Sequence, residues 1–134
     1  MAGIAERLAE AEAALATLDE AVARAFASLI ERESAILRLI YTFAAVGKAC
    51  THLLAEHEGI ETGSLNAAIR AARRLGWLSD EDAEAAIAAG RDRDLAFQMY
   101  RAGIGEEIAE RLAGHAAVLR RWLDALQERA DDES

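Results

Sequence analysis

The sequence predicts an all-α fold, an antiparallel up-and-down bundle of four-helix type with one additional short helix. The chain of 134 residues has no proline, and only 5% of its residues are aromatic although 53% are hydrophobic. Alanine, leucine, glutamate and arginine, the strongest helix formers, dominate the composition. Apolar residues recur at steps of three and four along most of the chain, which is the period of a helix with one buried face. This length predicts a single domain, residues 1–134.

The first two predicted helices are long, and neither glycine nor proline separates them. The first carries an apolar stripe from Ile4 through Leu15 and Leu18 to Leu29. The second begins near residue 30 and ends at Gly59, because glycine readily adopts the left-handed conformation that stops a helix. Its apolar set is Ile36, Leu37, Ile40, Phe43, Ala44, Gly47 and Leu54. The junction between the two helices is not fixed by any break signal.

Serines and glycines delimit the remaining helices. Ser64 caps a short helix that stops at Gly76, and Ser79, followed by three acids, begins the fourth. We expect the fourth helix to continue through the polar segment 91–100 as far as Gly103. The last helix carries a regular stripe of Ile104, Ile108, Leu112, His115, Leu119, Trp122 and Leu126.

The charge of the chain excludes some classes of partner. A net charge of −9 argues against bulk attraction to DNA or to anionic membranes. The acidic tail, about 130–134, is expected to fray. The lone Cys50 rules out an internal disulfide, and the sequence shows no signal peptide or membrane span. We therefore expect a cytoplasmic protein.

The segment Arg93-Asp94-Leu95-Ala96-Phe97-Gln98-Met99-Tyr100 follows Arg91-Asp92 and collects polar groups in an alanine-rich bundle. Polar groups massed between apolar helices cost free energy unless they are hydrogen-bonded. Such a cluster indicates a binding site, whereas an ordinary ion-paired helix surface is the alternative. On a continuous helix Arg93, Phe97 and Tyr100 would share one face, with Gln98 well round from Arg93.

The pattern Arg93-x4-Gln98-x-Tyr100 resembles the Arg-x4-His-x-Tyr motif of the HEPN superfamily. Its flanks resemble the branch of nucleotidyltransferase substrate-binding proteins over residues 30–128, through three segments. These are Leu75-Gly76-Trp77-Leu78 before Asp80-Glu81-Asp82, the helix opening Glu106-Glu107-Ile108-Ala109-Glu110-Arg111-Leu112, and Tyr41-Thr42-Phe43 with Lys48. The family's glutamate and tryptophan in the last of these segments are replaced by Ala44 and Gly47.

The resemblance implies a prokaryotic helical bundle that forms a homodimer and pairs with a separately encoded nucleotidyltransferase of the minimal (MNT) type. In many HEPN proteins the motif arginine and histidine form a metal-independent ribonuclease site of a toxin. In some pairs the nucleotidyltransferase silences the toxin by attaching AMP to the motif tyrosine. Carried over, Arg93 would bind phosphate and Tyr100 would be the AMP acceptor. We expect Arg93, Asp94, Gln98 and Tyr100 to be the substrate-binding residues.

Gln98 stands at the position of the motif histidine and decides between the functions. RNA cleavage without metal needs a group that moves protons near neutral pH, as imidazole does and an amide does not. We therefore expect a non-catalytic binding or regulatory subunit that needs no cofactor and binds a nucleotide or RNA near Arg93. The alternatives are a ribonuclease toxin using Arg93 and Tyr100, with a histidine from elsewhere, and a helical dimer with a decayed site.

Other polar residues have simpler explanations. His115 interrupts a core stripe and is expected to be a hydrogen-bonded core or interface histidine, and with Trp122 it offers the last helix a surface for dimerisation. No metal site is expected at Cys50, His52, Glu56 and His57, because their spacing matches no known ligand set. Two basic groups are expected to be solvated faces: Arg70, Arg73 and Arg74, and Arg120 and Arg121.

Overall fold

The chain forms an all-α bundle, as predicted. The computed structural model describes residues 3–24, 26 and 28–132, and within these it has five α-helices and no strand. The helices are α1 (Ile4–Ala23), α2 (Leu29–Glu58), α3 (Leu65–Arg74), α4 (Asp80–Leu95) and α5 (Ile104–Asp132), with a 3₁₀ turn at Ala96–Gln98.

Three long helices make up most of the bundle, and two shorter ones complete it. Helices α1, α2 and α5 all pack against one another, α3 packs on α2, and α4 packs on α5, α3 and α2. Phe43 and Trp122 are both fully buried at the centre, with ring centroids 5.9 Å apart in an edge-to-face arrangement. One continuous apolar core therefore joins α2 to α5.

The predicted caps of the middle helices are confirmed. The Ser64 hydroxyl accepts a hydrogen bond from the Ala67 backbone N–H, and the Ser79 hydroxyl accepts one from Asp82. Gly59 ends α2 in the left-handed conformation, with φ at 66°. An N-cap serine satisfies a backbone donor that the helix itself leaves unpaired, which is why serine starts these helices.

The first helix ends earlier than its apolar stripe suggested. Helix α1 stops at Ala23, and Leu29, which we placed on that stripe, is instead the exposed first residue of α2. The reason is Ser28, whose hydroxyl accepts from the Glu31 N–H and starts a new helix there. Residues 25 and 27 of this junction lie outside the described residues.

The prediction that α4 continues through the polar segment is wrong. The helix ends at Leu95, tightens into the 3₁₀ turn, and is followed by a reversal at Gly103, where φ is 87°. Asp92 is bound to two residues of α5 that lie 19 and 23 positions later in the sequence, so the chain has to turn back soon after Asp92. Tertiary contacts override the helical period here.

The last helix confirms its stripe, but the tail differs from the prediction. Ile108, Leu112, Leu119, Trp122 and Leu126 are all buried. The tail expected to fray from about residue 130 is helical through Asp132, while Glu133 and Ser134 lie outside the described residues. No helix in the described ranges combines the length and apolarity needed to cross a membrane.

Candidate functional site

Arg93 lies near the end of α4, where packing holds its guanidinium in place. The carbon of that group lies 5.0 Å from the centre of the Phe43 ring, a cation–π contact. Its Nε donates to Asp94 Oδ1 at 2.9 Å. Gly90, one turn earlier, permits this close approach, because a Cβ at that position would lie 2.9 Å from Phe43 Cζ. Arg93 is thus a partly exposed cation (27% of its side chain) on an aromatic support.

The other two motif residues lie beyond the end of α4. The Gln98 side chain is exposed and accepts a hydrogen bond from Arg101 Nη1 at 3.0 Å. Tyr100 is 81% exposed in the turn that precedes α5. Its phenol is accessible to a large reagent, and Arg101 places a second cation beside it in sequence.

The expectation that Arg93, Phe97 and Tyr100 share one face of a continuous helix is wrong, because α4 ends at Leu95. Among the described residues, no hydrogen bond or ion pair joins Arg93 to Gln98 or to Tyr100. The Arg93–Asp94 pair instead fits the alternative of an ion-paired helix surface. The motif residues lie in one segment of the chain without forming a single hydrogen-bonded cluster.

A buried polar cluster at Asp92 joins α4 to α5 and is the strongest electrostatic feature of this region. Asp92 is 5% exposed. Its carboxylate accepts two hydrogen bonds from Arg111, from Nε at 2.7 Å and from Nη2 at 2.9 Å. His115 Nε2 lies 2.6 Å from Asp92 Oδ2. Because a carboxylate only accepts, we assign the shared proton to His115 Nε2.

Two opposing effects act on the pKa of Asp92. Burial alone would raise it, but the hydrogen bonds from Arg111 and His115, together with their charges, outweigh burial and lower it from 3.8. The carboxylate accordingly stays ionised to a lower pH than an ordinary aspartate does. The same pairing raises the pKa of Arg111 above its ordinary value.

Sequence patterns indicate the histidine of this cluster but not its carboxylate. The prediction of a hydrogen-bonded core histidine at His115 is confirmed. The carboxylate of Asp92, by contrast, is not distinguished in sequence from the rest of the charged run before the motif. Arg111 and His115 are four residues apart and so lie on the same face of α5, which is a signal that a carboxylate faces them. Trp122, which we paired with His115 as a surface for dimerisation, is fully buried within the chain and offers none.

An exposed apolar surface lies near the motif. Ile30, Leu37 and Tyr41 are spaced by seven and four residues, so they share one face of α2, here called the α2 apolar face. Their exposed fractions are 79%, 39% and 62%. Phe97, in the 3₁₀ turn that packs on α2, is also exposed. Large exposed apolar groups that recur on one face indicate an interaction surface.

The other polar candidates are explained by ordinary contacts. Arg120 pairs with Glu12, Asp19 and Asp124, which ties α5 to α1. Arg121 donates to Asp82 at 3.0 Å, and so joins α5 to α4. No three His, Cys, Asp or Glu side chains converge as metal ligands within the described ranges.

Cys50 is a buried thiol between α2 and α3. Its Sγ lies 4.0 Å from the Ala68 carbonyl oxygen. Burial raises the pKa of Cys50 to about 12, although the Trp122 indole opposes the shift. A thiol of this kind packs as a small apolar group and is a poor nucleophile.

Comparisons with known proteins identify a close structural relative. No family model matches the sequence, and no curated protein matches it either. The crystal structure of a protein from Thermus thermophilus superposes with a TM-score of 0.82 at 40% sequence identity. The match covers 87% of this chain and 98% of the Thermus protein.

Proposed function

This chain belongs to the same family of helical bundles as the Thermus thermophilus protein. We propose a function for this bundle that rests on the exposed segment 93–100. The chain is a non-catalytic, cytoplasmic subunit that forms a homodimer and pairs with a minimal nucleotidyltransferase, to which it presents the surface around Arg93 and Tyr100. This assignment extends the HEPN-type resemblance of the motif.

The observation that carries the proposal is the accessibility of Tyr100. A phenol that is 81% exposed can enter the active site of another protein. There its oxygen would attack the α-phosphorus of ATP held by the nucleotidyltransferase, so that the new O–P bond replaces the α–β phosphoanhydride bond and pyrophosphate and the phenol proton leave. Arg93 and Arg101 supply cations on either side of it in the sequence, and arginine binds phosphate through two parallel hydrogen bonds. The segment therefore has the groups that bind a nucleotide phosphate and accept an adenylyl group.

Gln98 and His115 support a binding role over RNA cleavage. The Gln98 amide has no useful pKa, and its oxygen is engaged by Arg101. His115 is 6% exposed and its Nε2 is held by Asp92. It therefore does not offer RNA the free, accessible imidazole that the ribonuclease alternative needs.

The α2 apolar face supports the homodimer. A second copy packed on α2 would cover Ile30, Leu37 and Tyr41. Each Å² of apolar surface that this removes from water stabilises the dimer by roughly 25 cal/mol. A twofold arrangement fits because each copy offers the same apolar stripe to the other. Phe97 extends the apolar surface towards the motif segment.

RNA cleavage by the purified protein, beside a Gln98→His variant, tests the non-catalytic assignment. We expect no cleavage by the unmodified chain, and a rate increase of about 10² to 10⁴ where the variant restores an acid–base group. Cleavage by the unmodified chain at a rate similar to the variant would establish the ribonuclease alternative instead.

Mass spectrometry of the protein isolated from its own cells tests the role of Tyr100. The chain has two tyrosines, and Tyr41, which the proposed homodimer would cover, is the internal comparison for Tyr100. We expect an adenylyl group on Tyr100 and none on Tyr41, and its loss in a Tyr100→Phe variant. Modification that is equal on both tyrosines would contradict the proposal.

Sedimentation velocity tests the homodimer. We expect a dimer for the unmodified chain and a monomer for Leu37→Glu, because a carboxylate on the α2 apolar face would have to be desolvated. Ala117→Glu, at an exposed position of α5, is the control and should remain dimeric.

If Arg93→Ala changes neither nucleotide binding nor partner binding, the site has decayed and the proposal fails.

A further inference from the structure

A cleft of ≈ 660 Å³ lies between α1, α2 and the start of α3, away from the segment 93–100. Its lining combines basic or imidazole side chains with hydroxyl groups and contains no carboxylate, although the chain has 24 acidic residues. The lining residues are Arg7, Lys48, Thr51, His52, Ala55, Thr62, Gly63, Ser64 and Leu65. We call this the α1–α3 cleft.

Two polar atoms of the α1–α3 cleft are buried without a hydrogen-bond partner among the residues that the structure describes. Within the described ranges the Arg7 Nε–H finds no acceptor, and the Thr62 hydroxyl makes no hydrogen bond. His52 Nε2 lies 3.2 Å from Glu56 Oε1 but lacks hydrogen-bond geometry to it. Buried polar atoms of this kind usually have a partner, and each one without a partner costs on the order of 1–3 kcal/mol. Since His52 faces Glu56, two such atoms remain, Arg7 Nε and Thr62 Oγ1, and they indicate that the cleft accepts a polar ligand.

Lys48 adds an accessible charge to the same cleft. It is exposed and makes no ion pair within the described ranges. It is also the one lysine of the sequence. With Arg7 on α1, it gives the cleft two cations from different helices in a chain whose net charge is −9. The local charge is thus opposite to that of the whole chain.

Packing at Gly47 places the start of α3 at the cleft. A Cβ at position 47 would lie 2.7 Å from Leu65 Cδ2, so glycine lets Leu65 pack directly on α2. Ser64 and Leu65 then line the cleft with the first turn of α3, whose backbone N–H groups carry a partial positive charge. This helix dipole adds to the field of Arg7 and Lys48.

We propose that the α1–α3 cleft binds a phosphate group. Phosphate is the anion that best matches donors converging from several directions, because each of its oxygens accepts hydrogen bonds. Arg7 supplies a guanidinium, Lys48 an ammonium, and Thr62 a hydroxyl. Ala55 and Leu65 give one side of the cleft an apolar wall, against which the organic part of a phosphate ester would pack. This site is independent of Tyr100 and of the proposed pairing.

Acylation of Lys48 provides a residue-specific test. The unmodified protein is treated with an amine-acylating ester, and peptide mass spectrometry follows the modification at Lys48. Inorganic phosphate and phenyl phosphate are the two probes, and they separate a free-phosphate site from a phosphate-ester site. Benzoate and sodium chloride at matched ionic strength are the controls. We expect both phosphate probes to slow acylation in a saturable way, more strongly with phenyl phosphate if the apolar wall contributes.

Variants then connect the protection to the cleft. Arg7→Gln is expected to weaken phosphate protection about tenfold, which corresponds to the loss of one charge-assisted hydrogen bond. Arg70→Gln removes the same charge from an exposed position of α3 outside the cleft, and should leave protection unchanged. Thr62→Val tests the hydroxyl with little change of shape and is expected to weaken protection as well.

Three results would overturn the proposal. Phosphate could give no more protection than chloride, which would show only ionic screening. Benzoate could protect as well as phenyl phosphate, which would show no preference for phosphate. Arg70→Gln could weaken protection as much as Arg7→Gln, which would show a general charge effect. A Tyr100→Phe variant should keep full protection of Lys48, so failure of this proposal and failure of the proposed function are distinguishable.

Discussion

Replacing Asp92 with asparagine is expected to lower the free energy of unfolding by about 3 kcal/mol. Asparagine keeps one acceptor oxygen but loses the charge that Arg111 and His115 share. Arg111 has 46% of its side chain exposed and can be rehydrated, so its share is about 1 kcal/mol. The His115 side chain is 8% exposed, so water cannot compensate when its bond to a carboxylate becomes a bond to a neutral amide oxygen, and the lost charge assistance costs about 2 kcal/mol.

Thermal unfolding followed by circular dichroism measures this loss. At about 2.1 cal/mol/K per residue, unfolding a chain of 134 residues has an entropy of about 0.28 kcal/mol/K. A loss of about 3 kcal/mol therefore lowers Tm by about 10 °C. Asp94→Asn is the matched control, because Asp94 is exposed and, among the described residues, pairs only with the neighbouring Arg93. Its effect should stay below about 1 kcal/mol.

The pH dependence of the same variant gives an independent check. The folded-state pKa of Asp92 is lowered, so the carboxylate contributes its full stability above the unfolded-state value, near 4. That contribution is lost as the pH falls through the folded-state pKa. The difference in stability between the unmodified chain and Asp92→Asn should therefore shrink below about pH 4. The assigned role of Asp92 would be refuted if Asp92→Asn lowered the free energy of unfolding no more than Asp94→Asn does. It would also be refuted if the loss caused by Asp92→Asn grew as the pH fell.

Three further outcomes follow from the packing. Cys50 should react with a thiol reagent orders of magnitude more slowly in the folded protein than in denaturant, because burial raises its pKa to about 12. Fast labelling of the native chain would contradict this. Ser79→Ala should cost about 1 kcal/mol in a urea titration, since the hydroxyl caps α4, and an unchanged midpoint would show that the cap is dispensable. Gly47→Ala sets a clash with Leu65 against a gain of about 1 kcal/mol in helix propensity. The substitution should therefore be more favourable by about 1 kcal/mol in a Leu65→Ala background, and strictly additive effects would argue against that contact.

The fold could be predicted where local signals and packing agree. Ser64, Ser79 and Gly59 fix helix ends by their own hydrogen bonds or backbone conformation, so their roles follow from residue type. The junction of α1 and α2 also had a local signal, Ser28 followed three residues later by Glu31, which is the spacing of a capping box. The apolar stripe continues across this junction, but the cap at Ser28 outweighs it and starts a new helix.

The candidate site was less predictable because its geometry depends on distant residues. The end of α4 at Leu95 has no proline or glycine to mark it. It follows from the attachment of Asp92 to Arg111 and His115, which are distant in sequence. Phe43, from α2, likewise supports Arg93 in a way that no spacing within α4 could indicate. Motif residues can thus be named from sequence, whereas their mutual placement requires the tertiary structure.

Helix α2 brings two proposed contacts into one structural element. A helix of 30 residues is about 45 Å long. Tyr41 and Lys48 are seven residues apart, so the α2 apolar face and the α1–α3 cleft follow each other along one side of it. If phosphate binding in the cleft changes the dimerisation constant, dimerisation must change the phosphate affinity by the same factor, because coupling free energies are reciprocal. The protein concentration at which the chain dimerises would then report on the supply of phosphate compounds around it.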